Sequence, residues 1–163
     1  MFSIKEIFDL AIQIEKNGEA FYRDALKEIS NPSLKSLLEW LADQEVKHIT
    51  WFSEKKEKLG TNEDDLQLDE MARAMLQEVL GDQSFSLKDS DLSKIDDIDA
   101  LLELAIEFEK DSIVFYEMIG GFIDDVETSS KLKEIIEEEN RHIQLLQEFE
   151  DEEVINSELG DGG

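Results

Sequence analysis

There is no cysteine among the 163 residues of this sequence. That excludes disulfides, thiolate nucleophiles, sulfur-held iron and iron–sulfur clusters. A single proline and eight glycines leave little to interrupt long helices. Positive charge is scarce: 16 Lys and Arg stand against 42 Asp and Glu, a formal net charge of -26. Such a chain repels nucleic-acid phosphate and anionic headgroups, so neither nucleic acid nor membrane is expected as a partner. No apolar run approaches the ~18 residues of a bilayer span. The start, Met1-Phe2-Ser3-Ile4-Lys5-Glu6, lacks a basic segment followed by an apolar one, so no secretion signal is expected and the cytoplasm is the expected location.

Histidine is equally rare, and its placement organises the chain. The two histidines, His48 and His142, each close a Glu-x-x-His, in Glu45-Val46-Lys47-His48 and Glu139-Asn140-Arg141-His142. Thirty residues before each of these glutamates stands another, Glu15 or Glu109, inside an apolar stripe of helical period. The stripes run Phe8, Ala11, Glu15, Gly18, Tyr22, Ala25, Ile29; Leu34, Leu38, Leu41, Glu45, His48, Phe52; Leu102, Ala105, Glu109, Ser112, Tyr116, Ile119; and Leu132, Ile135, Glu139, His142, Leu146, Phe149. Steps of three and four keep each set on one helix face.

Breaks between stripes carry end signals. Ser3-x-x-Glu6 has capping-box spacing for the first helix, and Ser30-Asn31-Pro32 ends it. Asn31 caps the second helix with Pro32 in its first turn, and Leu59-Gly60 closes it. The third helix starts at Asp96 or Asp97 and weakens at Gly120-Gly121; the fourth starts at Ser129 or Ser130. Residues 61–97 read as a long connection, with Leu68, Met71, Met75, Leu76, Val79 and Leu80 marking a short amphipathic helix of its own. The expected organisation is one domain over 1–155, with a crossover at about 61–97 and a flexible acidic tail over 156–163.

The two halves repeat each other at an offset of 94: Ala11-Ile12-Gln13-Ile14-Glu15-Lys16 against Ala105-Ile106-Glu107-Phe108-Glu109-Lys110, Phe21-Tyr22 against Phe115-Tyr116, and one Glu-x-x-His against the other. Two antiparallel helical hairpins follow, forming an all-α four-helix bundle. Glu15 and Glu45 are equidistant from Ser30, and Glu109 and Glu139 from Asp124. All four therefore lie at one height, roughly 22 Å from the hairpin turns.

Four carboxylates and two imidazoles on inward faces require compensation, because burying even one unpaired carboxylate costs several kcal/mol or forces it to take a proton. Cations supply it. Carboxylate and imidazole donors without sulfur suit iron, manganese or zinc. One Glu from each of two helices and a Glu-x-x-His from each of the other two is the ligand set of di-iron and di-manganese bundles. By symmetry Glu45 and Glu139 bridge two metals, while Glu15 with His48 and Glu109 with His142 are terminal ligands; which histidine shares a metal with which terminal glutamate is open from the sequence. Tyr22 and Tyr116, two turns beyond the terminal glutamates, either donate to ligand carboxylates or pack as core aromatics. Trp40, Trp51 and Phe52 read as packing or interface residues, and Glu19, Glu107 and Glu138 as solvated.

These residues together resemble the rubrerythrin-like branch of the ferritin-like superfamily: Ile14-Glu15-Lys16 with Phe21-Tyr22, Glu45-x-x-His48, Phe108-Glu109-Lys110 with Phe115-Tyr116, and Glu139-x-x-His142. The resemblance covers all four main helices. It implies a di-iron carboxylate oxidoreductase acting on dioxygen or hydrogen peroxide, with two iron ions as cofactor and no catalytic group beyond their ligands. A homodimer or small homo-oligomer is the expected assembly. Rubrerythrins proper carry a cysteine-bound iron domain and a further glutamate three residues after the third-helix ligand. This chain has no cysteine and has Ser112 at that position, so an external electron-donor protein is expected. Metal storage with a ferroxidase step, and a structural metal bundle without turnover, are the alternatives.

Overall fold

The structure is a computed structural model that describes residues 4–58, 98–121, 123 and 125–161, with side chains described as far as 152. Four helices make up the described chain: α1 (Ile4–Glu28), α2 (Pro32–Lys58), α3 (Ile98–Gly120) and α4 (Val126–Asp161). No strand occurs among the described residues. The capping role of Ser3, the stop at Leu59-Gly60 and the short crossover helix fall outside them.

The α1–α2 turn forms as the sequence signals require. α1 stops at Glu28, ahead of the proline. Asn31 Oδ1 accepts the Ser33 and Leu34 amides at 3.0 and 3.2 Å, and its carbonyl accepts the Lys35 amide at 3.0 Å. Pro32 begins α2, where a missing N–H costs nothing.

The α3–α4 turn differs from expectation. α3 ends at Gly120, where the Gly121 amide bonds back to Met118 O at 3.1 Å. α4 begins at Val126, ahead of the expected Ser129 or Ser130. The reason is Asp125, whose carboxylate accepts the Thr128 amide at 3.1 Å and the Thr128 hydroxyl, while its carbonyl takes the Ser129 amide at 2.9 Å. An aspartate cap three residues before a threonine outcompetes the serines that follow. At the far end α4 runs on to Asp161, so the backbone of 156–161, expected as a tail, is helical.

Helices pair closely within each hairpin, α1 with α2 and α3 with α4, and the hairpins meet along α1–α3 and α2–α4. The buried side is the one the stripes specify. Phe8, Ala11 and Tyr22 of α1, Leu34, Leu38, Leu41 and Phe52 of α2, Leu102, Ala105, Tyr116 and Ile119 of α3, and Leu132, Ile135 and Leu146 of α4 are all buried. Each fully buried Leu, Ile or Phe contributes about 1.5–3 kcal/mol relative to exposure. Ile29 and Phe149, at the stripe ends, are partly buried against this core.

Candidate metal centre

Six ionisable side chains interrupt the apolar core at one level. Glu15, Glu45, His48, Glu109, Glu139 and His142 are each 3% exposed or less, so water cannot solvate their charge. Every one comes from the apolar stripe of its own helix, and the symmetric heights of the two hairpins bring all six together. Their donor atoms fall into two groups, Glu15–Glu45–His48–Glu139 and Glu45–Glu109–Glu139–His142, each with all donors within 4.8 Å of one another. Glu45 and Glu139 belong to both.

Both histidines turn Nδ1 inward. His48 Nδ1 lies 3.3 Å from Glu15 Oε2 and 3.2 Å from Glu139 Oε1. His142 Nδ1 lies 3.7 Å from both Glu109 Oε2 and Glu139 Oε2. The two rings stand 6.3 Å apart at an interplanar angle of 20°. An ion bound at ~2.0–2.2 Å holds its donors about 3–4 Å apart, which is the spacing between each histidine and its carboxylates.

The polar atoms left over test whether a cation fits. Glu45 Oε1, Glu109 Oε2, both carboxylate oxygens of Glu139 and His142 Nδ1 are buried without a hydrogen-bond partner. Buried polar groups are rarely orphaned, and five at one point call for a ligand. Four carboxylates carry the charge that neutralises two divalent ions, and oxygen with imidazole nitrogen is the donor chemistry of iron, manganese or zinc. The residues fit a two-metal group.

Without metal, protons and local pairs do part of this work. Burial, with the neighbouring Glu139 charge, pushes the Glu15 carboxyl above its ordinary value. Burial also acts to raise Glu139, but the His142 and His48 imidazoles beside it outweigh that and hold it below the usual value. Burial acts to lower His48, yet Glu15 and Glu139 push it up to about 11.

The tyrosines cross between hairpins. Tyr22 on α1 donates to Glu109 Oε1 at 2.6 Å, and Tyr116 on α3 donates to Glu15 Oε1. Burial, reinforced by nearby carboxylates, raises both phenols well above the ordinary tyrosine value, so both remain O–H donors. Of the two roles open to them from sequence, hydrogen bonding to the terminal glutamates is the one the geometry takes up.

Glu138 does not behave as a solvated residue. Although 38% exposed, its carboxylate accepts the His48 Nε2–H at 2.6 Å, against the expectation that it faces solvent alone. Only the approach of α4 to α2 across the hairpins makes this bond, and the one cue in the sequence was its position next to Glu139. Glu19 bonds Arg23 at 3.3 Å, away from the donor groups, and Glu107 is exposed. Trp40 packs edge-on against the His142 ring at 5.3 Å, and Trp51 lies against Phe8 and Phe52.

Gly18 is a further site residue that the stripe alone did not explain. A Cβ there would meet Phe108 Cε1 at 2.7 Å, Phe108 Cζ at 2.9 Å and Glu45 Cδ at 3.2 Å. In Gly18→Ala, overpacking of about 1–3 kcal/mol opposes a helix-propensity gain of about 1 kcal/mol. The metal-free variant should therefore melt close to the parent or slightly below it. Displacement of the Glu45 carboxyl should appear instead as weaker metal binding, read by parallel thermal melts and metal titrations.

Comparison with known proteins agrees with this geometry. The rubrerythrin family model matches residues 6–150. Among solved structures, a candidate ferritin-like diiron-carboxylate protein from Thermotoga maritima is 30% identical with a TM-score of 0.73, the match covering 93% of this chain and 97% of the other. No curated protein matches the sequence.

Proposed function

The chain belongs to the rubrerythrin family, and from that premise we propose that it is a di-iron oxidoreductase acting on hydrogen peroxide or dioxygen and reduced by an external donor protein. The observation that carries this reading is the pair of buried donor groups sharing Glu45 and Glu139. Glu15 and His48 would complete one metal position, and Glu109 and His142 the other. When bound, a pair of iron ions supplies two-electron redox chemistry between diferrous and diferric states.

The protein's own part is to hold, orient and exclude. The four glutamates supply charge to match two divalent ions. Tyr22 and Tyr116 hold the terminal glutamates by one oxygen each, which leaves the other oxygen of each directed to the centre. Phe8, Phe52, Phe108 and Phe115 are fully buried in the core that holds these donors, and that apolar packing keeps bulk water out. No thiolate in the sequence can relay electrons, which is why a separate donor is part of the reading. No helix among the described residues is long and apolar enough to cross a membrane.

The test is anaerobic loading with ferrous iron followed by rapid mixing with peroxide or with dioxygen. Two irons per chain and stoichiometric ferric absorption are expected, with cycling when a chemical reductant is supplied. Loading without any oxidation under either oxidant would leave only a structural metal bundle. Oxidation accompanied by mineral growth in a large multi-subunit particle would instead indicate storage.

A further inference from the structure

The two halves are not equivalent where they touch the histidines. Glu138 and Gln44 hold matching places, each one residue before a shared glutamate. Glu138 meets His48 of the opposite hairpin and accepts its Nε2–H at 2.6 Å. With that proton on Nε2, the lone pair of a neutral His48 is on Nδ1, the nitrogen facing Glu15 and Glu139. A carboxylate on the outer nitrogen fixes ring orientation and makes the inner nitrogen a stronger donor to a cation.

Among the described residues, no carboxylate meets His142 from the matching place. Gln44 is uncharged and half-buried, and the group against the His142 ring is the Trp40 indole, edge-on at 5.3 Å. The inward spacing differs in the same sense: Nδ1 stands 3.2–3.3 Å from its carboxylates at His48 and 3.7 Å at His142.

We propose that the two metal positions differ in affinity, and that Glu138 makes the Glu15–His48 position the tighter one for a divalent first-row cation by orienting and polarising His48. Glu138 is a positioning residue that acts through His48 and is not itself a ligand. The inference rests on the two-metal reading above. It implies a filling order: the first cation enters beside Glu15 and His48, and the position at Glu109 and His142 fills second.

The experiment is an anaerobic cobalt(II) titration of the full chain followed by visible absorption, with thermal melts of each metal-free protein alongside. The parent should bind two cobalt ions in two steps at least about tenfold apart. Glu138→Gln should weaken the tighter step by about 10–100-fold, the range for loss of an outer partner of a ligating histidine. It should retain two ions per chain and leave the weaker step in place. Glu137→Gln makes the same charge change at an exposed neighbour and should alter neither step. In a His48→Ala background, Glu138→Gln should have no further effect.

Two-ion binding with constants unchanged by Glu138→Gln would overturn the inference and leave the two-metal reading standing. So would an equal loss in Glu137→Gln, or a further loss in the His48→Ala background. A parent chain that binds no cobalt, iron or zinc would overturn both.

Discussion

Glu45→Ala is expected to abolish binding at both metal positions, whereas Glu15→Ala and Glu109→Ala each abolish one. Glu45 belongs to both donor groups, and Glu15 and Glu109 to one each. Loss of a ligand should exceed the ~10–100-fold typical of an outer partner, so each affected position should weaken by more than about 100-fold. The variant should still fold, because removing a buried carboxylate also removes its desolvation cost, and the cavity left in the metal-free chain is bounded by Phe108 near Gly18. Metal analysis after anaerobic loading and desalting reads the result directly. One tightly held ion per chain in Glu45→Ala would mean that the glutamate is not shared.

Stripping the metal should produce the second large effect. Ions that bind the folded chain but not the unfolded one stabilise it by about 2.7 kcal/mol per position at a hundredfold excess over Kd. Two positions give about 5 kcal/mol, or roughly 10–20 °C in Tm for a chain of this size. The same experiment carries a pH signature. In the metal-free protein His48 is pushed from 6.5 up to about 11. A raised folded-state value contributes stability that is fully present below pH 6.5 and lost as pH rises toward 11. The raised Glu15 acts in the same sense, from its ordinary 4.5 upward. The metal-free Tm should therefore fall between about pH 7 and 10. Bound ions replace those protons, so the loaded protein should show a flatter profile and the gap between the two should widen with pH. Calorimetric melts with chelator and with metal, taken across that range, check both the size and the slope. Equal melting temperatures at every pH would contradict a centre that is compensated by cations.

Much of the bundle was legible in the sequence because the signals are local or repeated. Asn31 and Pro32 mark a helix start through groups within four residues of each other, and the turn forms as they require. The α4 start was less legible because Asp125, Ser129 and Ser130 are all competent caps, and which one wins depends on Thr128 returning both its amide and its hydroxyl to Asp125. The six core polar residues were legible because an ionisable side chain in an apolar stripe, duplicated at an offset of 94, has to meet its copy when the hairpins pack.

The sequence by itself determined the helix faces, the repeat and the six residues that share one level, since helical period and hairpin symmetry set face and height within each half. Only the tertiary structure decided what passes between the halves. Tyr22 reaches Glu109 rather than a glutamate of its own hairpin, Tyr116 reaches Glu15, Gly18 leaves room for Phe108, and Glu138 closes on His48. Those contacts depend on how far one hairpin is rotated and how closely it approaches the other. Periodicity carries no information about either, so Glu138 and Glu107, both outside the apolar stripes, end with different roles: one bonds His48 and the other is exposed.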